Sequence, residues 1–258
     1  MYDLIRGLCL FSAALVSWAC ASSTPPGRMA DYVPMDQGPQ AESLLKVEKK
    51  PVQAGLVLIS DTALPSAAPN LPDEALAKLA DELQQEIGRV LPVTIKEVIS
   101  AEGIRPSDGN REQFADLARR HGLDYLAIVV LSSTEEEYPV TVFLGWTTHS
   151  QPGYRRDNWS LLEFALLDLK NNHMLMQAEG RGWATLDRPA APGIDQWYPV
   201  IYLRPQDPER RIWPPTYEGA PYTLRVVSFD QAAKRLTLKL RNSWLGQLEA
   251  DAAARRTS

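Results

Sequence analysis

Histidine often serves as a general acid, a general base or a metal ligand, and this sequence has three. His121 ends a helical pattern just before Gly122, where the helix dipole favours a cation, so we interpret it as a capping residue. His149 and His173 fall in a polar loop and a turn, without the spacing of a zinc-protease motif. Because no cysteine follows Cys20, we predict no structural zinc site, no metal and no cofactor.

Other sequence features that could bind or transform a ligand have simpler interpretations. The chain contains no Gly-x-Ser-x-Gly elbow, no phosphate-binding P-loop and no dinucleotide fingerprint. Gly180 and Gly182 lie within a strand pattern, which indicates a bulge or close packing rather than phosphate binding. The acids Glu135–Glu137 would point to alternate sides of an extended segment, so we interpret them as a solvated turn. Asp61 follows the first predicted strand, at a position where α/β sheets often bind ligands. The ordinary polarity of a loop accounts for an aspartate at this position equally well.

The most suggestive side chains lie in a Pro-rich excursion over residues 189–221, whose eight prolines interrupt regular elements. Aromatic rings interleaved with arginines are enriched at protein interfaces, because rigid rings bury a large area at a small loss of entropy. We therefore predict an interaction surface here. Alternatively, the rings would cover a sheet face or edge, or stack on the sugar rings of a glycan. The candidate residues are Trp197, Tyr198, Tyr202, Arg210, Arg211, Trp213 and Tyr217.

The composition limits the classes of protein to which a chain with this surface could belong. The 258 residues include 27 basic and 32 acidic side chains, a formal net charge of -5, which argues against binding to nucleic acid. The apolar share of 45% suffices for one globular domain with appendages. After Lys46 no apolar run approaches the roughly 18 residues that a membrane-spanning helix needs.

The first twenty residues predict export and a lipid anchor. Residues 1–19 contain an apolar stretch from Leu8 to Ala19, which is typical of a secretory signal peptide. With Cys20 directly after it, the segment resembles a bacterial lipoprotein leader. The resemblance implies that the leader is cut before Cys20 and that this cysteine carries acyl chains such as palmitate. Because no aspartate follows, it also implies the outer membrane, facing the periplasm. A plain signal peptide with a coincidental cysteine, or an uncleaved anchor, is the alternative.

The remaining chain divides into three parts. Residues 20–50 comprise the lipidated cysteine and a flexible tether rich in Pro, Gly and Ser, with a coil span on the order of 30 Å. Residues 51–249 are predicted to form a single α/β domain that includes the excursion. Residues 250–258 are predicted to form a polar tail.

The body is predicted to begin with a βαβαβ order, which implies a parallel core. Three further β-like runs, at 139–148, 159–169 and 174–185, are joined closely enough to be antiparallel. Apolar residues between Phe229 and Leu248 then trace one side of a long helix, which we expect to pack on the sheet. The predicted fold class is therefore α/β, with a mixed sheet and α+β character in the second half.

Several segments together resemble the rhombotarget lipoprotein family of bacteria. They are the leader with its cysteine, the Leu-Val-Leu-Ile strand, Ala-Arg-Arg-His-Gly-Leu-Asp-Tyr-Leu at 118–126, Trp-Thr-Thr at 146–148, and Asn-Trp-Ser-Leu-Leu-Glu-Phe-Ala-Leu-Leu-Asp-Leu at 158–169. The Gly-x-Asp-Tyr-Leu entry to a strand is also similar to periplasmic lipoproteins of the curli-secretion and penicillin-binding-protein-activator type, which implies a similar α/β arrangement. The resemblance carries no catalytic residues. The C-terminal end lacks the Gly-rich motif and apolar helix that a rhomboid-type sorting protease reads, so we do not predict that processing.

These observations predict a non-catalytic envelope lipoprotein that binds a protein partner of unknown identity and no nucleic acid. An envelope hydrolase that uses acids with His149 or His173 is one alternative. A module that binds a small ligand near Asp61, or a glycan, is the other.

Overall fold

The computed structural model describes residues 24–33, 51–101, 104–106, 110–143, 150–171, 173–190, 199–203 and 211–257. The predicted signal peptide, Cys20 and most of the predicted tether lie outside the described residues. In chain order the helices and strands are α1 (Met29–Tyr32), β1 (Val52–Asp61), α2 (Asp73–Val90), β2 (Val93–Ile99), α3 (Asn110–His121), β3 (Tyr125–Phe143), β4 (Ser150–Asp168), β5 (His173–Pro189), β6 (Val200–Leu203), β7 (Arg211–Ile212) and α4 (Ala220–Thr257).

Seven strands form one sheet in the order β2-β1-β3-β4-β5-β6-β7. Strand β1 is parallel to both of its neighbours, β2 and β3, and every later pair is antiparallel. Helices α2 and α3 supply the crossovers that parallel neighbours require. The predicted mixed sheet, with its βαβαβ start and its long C-terminal helix, is confirmed.

Helices cover both faces of the parallel part of the sheet. Successive side chains of a strand point to opposite faces, so Val129 and Ile128 of β3 belong to different apolar clusters. We call one face the α4 face, because Val129 packs there with apolar residues of α2 and α4, including Leu83 and Leu236. The other is the α3 face, where Ile128 packs with α3 and α1.

Two strands are longer than the sequence predicts. Strand β3 continues through Glu135–Glu137 for 19 residues in all and pairs with β4 in unbroken register. The expected solvated turn at these acids is therefore wrong, although they do alternate between the two faces. Arginines on neighbouring elements neutralise Glu135 and Glu137, and such partners do not show in a local sequence pattern.

The C-terminal helix is also longer than predicted. Helix α4 begins at Ala220, within the Pro-rich excursion, and continues to Thr257 through the predicted polar tail. Ser228, which has the spacing of a capping box with Gln231, lies inside α4, and its hydroxyl donates a hydrogen bond to the backbone oxygen of Asn158 at 3.3 Å. The side chain thus joins α4 to the sheet instead of starting a helix.

Two glycines of β5 let α4 approach the sheet closely. A Cβ atom at Gly182 would lie 1.9 Å from the backbone oxygen of Ser228, and one at Gly180 would lie 2.1 Å from that of Ala232. Both atoms belong to a helix backbone and cannot rotate away. Of the interpretations of this pair, close packing is therefore the one that the structure supports.

Side chains of α4 also protect part of the edge of β5. Strand β6 pairs with β5 only from Ala184 onward. Just before that point, the N–H of Trp183 donates to Gln231 Oε1 at 2.7 Å, and Arg235 Nη1 donates to the backbone oxygen of Arg181 at 2.8 Å. Unpaired backbone groups at a sheet edge invite association with other strands, so these contacts limit that risk.

Residues 24–33, which we call the strap, differ from the expected flexible tether. Met29, Tyr32 and Val33 are buried on the α3 face, in the cluster that contains Phe114 of α3. The strap contains one turn of helix, α1, which is too short for sequence periodicity to reveal. This part of the predicted tether is therefore docked on the domain.

Candidate interaction surface

The outer part of the sheet continues past β1 and β2, and the start of α4 packs on it through a small apolar cluster that includes Leu186, Ile201 and Leu224. Strand β1 pairs with β3 only as far as Ser132. Beyond that point β3, β4 and β5 continue together, and β6 and β7 add to their edge. We call this extension the arm, and it comprises residues 133–143, 150–160, 182–189, 200–203 and 211–212.

A network of charged side chains lies on the α4 face of the arm. Glu135 is 3.2 Å from Arg156 Nη1 and 3.0 Å from Arg225 Nη1 of α4. Glu137 is 2.6 Å from Arg156 Nη2 and 3.6 Å from Arg188 Nη2. Two carboxylates thus hold three guanidinium groups, and the network ties the first turns of α4 to the arm.

Arg188 contacts two tyrosine rings at the end of this network. Its guanidinium carbon is 5.8 Å from the ring centre of Tyr154 and 5.9 Å from that of Tyr217, within the range of cation–π contacts. The Tyr217 hydroxyl donates to the backbone oxygen of Pro189 at 3.4 Å. The tyrosines stay 42% and 39% exposed, so solvent reaches both rings. We call Tyr154, Arg188 and Tyr217 the stack.

Trp213 follows β7 directly and is 58% exposed, which is the largest exposure among the large apolar side chains of the described residues. It lies four residues before Tyr217 in the chain, whereas Arg211, which is also exposed, pairs with Tyr202 in the sheet. Exposed tryptophan, tyrosine and arginine are the residue types that dominate binding energy at protein interfaces. We call the stack together with Trp213 the stack surface.

Tyr202 belongs to the opposite face of the arm. It pairs with Thr185 and with Arg211, and Thr185 donates a hydrogen bond to Asp157 on the α3 face. Burial, with the charge of Asp187, raises the pKa of Tyr202. The predicted interaction residues therefore divide between the faces, with Tyr217 on one side and Tyr202 on the other.

A bidentate ion pair stabilises the α3 face of the arm. Arg155 Nε and Nη2 each donate to an oxygen of Asp187 at 2.7 Å, and this hydrogen bonding raises the pKa of Arg155. Tyr138 donates to Asp157 Oδ2 at 2.8 Å on the same face. These partly buried groups satisfy one another and have the character of a structural network.

Three of the predicted interaction residues, Trp197, Tyr198 and Arg210, lie outside the described residues, so their placement stays a prediction. Among the others, the structure brings Tyr217 into contact with Arg188 and leaves Trp213 exposed nearby in the chain. Sequence reasoning missed Tyr154 and Arg188, which lie outside the excursion. The alternation of β4 and β5 places these two residues directly opposite each other, but finding that pair requires the register of both strands.

The site near Asp61 that suggested a small ligand is occupied by the chain itself. The Asp61 side chain is 1% exposed, and Arg28 Nε of the strap donates to its Oδ2 at 2.7 Å. The backbone N–H of Ala63 donates to Oδ1 at 2.8 Å. Both carboxylate oxygens are therefore engaged in contacts within the chain.

The structure describes two of the three histidines. His121 ends α3, and its Nδ1 is 3.1 Å from Glu97 Oε2 of β2. His173 is exposed at the start of β5, and His149 lies outside the described residues. Within the described ranges no three His, Cys, Asp or Glu side chains are grouped to hold a metal ion. None of the helices described has the length and apolar character required to cross a bilayer.

No family model matches the chain, and no curated protein matches it. Among solved structures, it aligns with a Helicobacter pylori protein named as a neuraminyllactose-binding hemagglutinin homolog, at 11% identity over 74% of this chain and 88% of that chain, with a TM-score of 0.34. The C-terminal domain of LpoB from Salmonella enterica aligns at 16% identity over 55% of this chain and 93% of that chain, with a TM-score of 0.26. The protein CT253 from Chlamydia trachomatis aligns at 14% identity over 76% and 96% of the two chains, with a TM-score of 0.29. The resemblance to the rhombotarget family stays a prediction.

Proposed function

We propose that this chain is a lipid-anchored protein of the bacterial envelope that binds a protein partner and catalyses no reaction. The observation that carries the proposal is the stack surface, where Arg188 contacts two half-exposed tyrosines and Trp213 is exposed near Tyr217 in the chain. Residues 1–19 act as the signal peptide, and acylated Cys20 attaches the protein to the outer membrane on its periplasmic side.

The energetics of the stack favour a role in binding over a role in folding. A cation–π contact at an exposed site contributes about 0.5–1 kcal/mol, so the two contacts of Arg188 add little to the stability of the domain. Apolar area removed from water contributes about 25 cal/mol per Å². Covering the exposed rings of Tyr154, Tyr217 and Trp213 with a partner therefore releases more free energy than the stack provides alone. The Glu137 carboxylate helps to hold Arg188 in place before binding.

The anchor is tested by labelling growing cells with a clickable palmitate analogue. The native chain incorporates the label, and Cys20→Ser loses it and retains the leader, which increases its mass. Cys9→Ser is the matched control, because that cysteine lies within the leader and is removed with it. Equal labelling of the native chain and Cys20→Ser contradicts the lipid anchor.

The partner surface is tested by placing a photocrosslinking amino acid at Trp213 or Tyr217 in intact cells. We expect the same discrete protein adduct from both positions. Leu245 of α4 is the control, because it is also an exposed apolar residue and lies outside the stack surface. Arg188→Ala should remove the adduct, and Arg241→Ala, at an exposed arginine of α4, should retain it.

Two results would overturn the proposed partner. If Leu245 gave the same adducts as Trp213, the crosslinks would reflect crowding and not a defined surface. If the adduct were digested by a muramidase and resisted proteases, the surface would bind a cell-wall glycan.

A further inference from the structure

The strap is fixed to the domain by polar contacts at its start. Glu163 of β4 accepts hydrogen bonds at Oε2 from the backbone N–H groups of Arg28, at 2.5 Å, and Met29, at 3.0 Å. A carboxylate at this position satisfies two of the donors that the start of α1 leaves free. Arg28 also donates to the buried Asp61. Strand β4 and the end of β1 thus both hold the strap.

Apolar contacts complete the attachment. Met29 is 1% exposed and Tyr32 is 3% exposed, and both belong to the cluster with Phe114 and Leu117 of α3. Burial, with the nearby Asp61, raises the pKa of Tyr32 to about 12. Fully burying a side chain of this size contributes on the order of 1.5–3 kcal/mol. The strap is therefore a structural part of the domain.

This attachment shortens the distance available between Cys20 and the domain. From Cys20 to Thr24, where the described strap begins, there are four Cα–Cα steps, and each spans at most about 3.6 Å, giving about 14 Å. A free coil from Cys20 to Pro51 would span on the order of 30 Å. With the strap docked, the free link between Cys20 and the domain is therefore much shorter than a coil that continued to Pro51.

We infer that the docked strap holds the domain against the lipid surface with its α3 face toward the membrane. This inference rests on the proposed acylation of Cys20. The acyl chains enter the bilayer at Cys20, and the strap that follows directly is docked on the α3 face. The stack lies on the opposite, α4 face, because Tyr154 and Arg188 share the face of Glu137 and Val129. The partner then binds from the side of the domain that faces away from the membrane.

Energy transfer from the domain to the membrane tests this orientation in the full acylated chain. The chain is reconstituted in phosphatidylethanolamine–phosphatidylglycerol vesicles that contain an acceptor-labelled lipid. A fluorescent noncanonical amino acid is placed at Glu112, exposed on α3, or at Lys234, exposed on α4. We expect more efficient transfer from position 112 than from position 234. Equal transfer, or greater transfer from position 234, overturns the inference.

A second variant tests the short tether without touching the fold. Ten Gly and Ser residues inserted between Ser22 and Ser23 lengthen the chain from Cys20 to the strap and leave every strap contact intact. The difference between positions 112 and 234 should then be lost, and its persistence contradicts the role of the strap. Releasing the strap with Glu163→Ala and Arg28→Ala should have the same effect, provided that circular dichroism shows a folded domain.

Failure of the anchor gives a different result. If Cys20 carries no acyl chains, the protein does not associate with the vesicles and neither position transfers energy. That outcome refutes the proposed anchor, and the inference about orientation with it. Vesicle association with equal transfer from both positions leaves the anchor in place and refutes the orientation alone.

Discussion

Strands β3, β4 and β5 run through both the helix-covered inner part of the sheet and the arm, and their surroundings differ between the two parts. In the inner part, Ile128 and Val129 of β3 are fully buried, each beneath helices on its own face. In the arm, the same strand carries Glu135 and Glu137, which arginines neutralise. One continuous ladder of backbone hydrogen bonds joins the two parts. The inner part therefore stabilises the fold, and the arm extends from it and carries charged and aromatic side chains.

This difference shows that the length of a strand does not depend on how far its apolar, buried part extends. Backbone pairing continues for 19 residues of β3 although the apolar pattern ends near Leu131. On β3 and β4, cross-strand ion pairs take the place of apolar packing, whereas β5 and β6 keep a small apolar cluster with the first turns of α4, which includes Leu186, Ile201 and Leu224. Ion pairs tolerate partial exposure at a small energetic cost. The arm can therefore expose tyrosine and tryptophan side chains without removing apolar packing from the inner part.

The largest expected effect comes from truncating the inner part. Phe164 of β4 is fully buried on the α4 face, and Phe164→Ala should lower the free energy of unfolding by about 3–5 kcal/mol. Tyr154→Ala, on the same strand but in the arm, is the matched control and should cost less than about 1 kcal/mol. Urea denaturation followed by circular dichroism measures both. Equal losses would mean that the arm is as important for stability as the core.

A steric substitution at the junction tests how closely α4 must approach. Gly182→Ala forces a methyl group against the backbone of Ser228 and should cost about 1–3 kcal/mol, because neither backbone can retract freely. Gly88→Ala is the control, since its Cβ would meet only Val93 O at 3.5 Å, an ordinary contact. In helix α2 that change should stabilise the protein by about 0.5–1 kcal/mol. Effects of the same sign at both positions would contradict the close packing of α4.

Removing the bidentate ion pair of the arm should have a smaller effect. Arg155→Met keeps most of the side-chain length and removes both hydrogen bonds to Asp187. We expect a loss near the lower end of about 1.5–3 kcal/mol, because Arg155 is partly exposed to solvent. Lys234→Met, which breaks an exposed pair with Asp230, should change the melting temperature very little. If the two variants behaved alike, the pair with Asp187 would not stabilise the arm.

The smallest effect is a pH dependence that arises from Glu163 in the inner part. Burial raises the pKa of Glu163 above its usual value of 4.5, although the N–H groups of Arg28 and Met29 oppose the shift. The folded state therefore retains this proton to higher pH than the unfolded state. The associated stability is present below pH 4.5 and is lost as the pH rises through the folded-state pKa.

Glu163→Gln cannot release a proton, so the variant should lack this decline in stability. Chemical denaturation of the native chain and the variant at a series of pH values from 4 upward, in steps of about half a unit, resolves the difference. Identical pH profiles would show that the strap contact of Glu163 does not titrate as described.

Sequence patterns predicted the inner part well and the arm poorly. The run Leu56–Ile59 is apolar at every position, as a strand buried between helices must be, and the βαβαβ order that it begins predicted the parallel core. Glu135–Glu137 suggested a solvated turn, because three adjacent acids on an extended segment point to alternate sides and the local sequence offers them no partner. Their partners lie about twenty or more positions away in the chain, so only the strand register reveals them.

The strap escaped prediction for a different reason. Its prolines and glycine are typical of a linker, and its three buried apolar residues span too few positions to show a helical period. The strap is held in place by two buried carboxylates on separate strands, Asp61 of β1 and Glu163 of β4. Asp61 itself was noticed in the sequence, but its partner Arg28 could not be identified without the fold.

Hydrogen–deuterium exchange of the acylated chain in native envelopes, compared with the purified chain, tests the role of the arm most directly. The account predicts that exchange is slower in envelopes at the backbone amides around Tyr154 and Arg188 and over residues 211–217, and unchanged in the already protected inner strands. Slower exchange confined to the outer surface of α2 and α4, or no difference anywhere, would contradict the claim that the arm binds the partner.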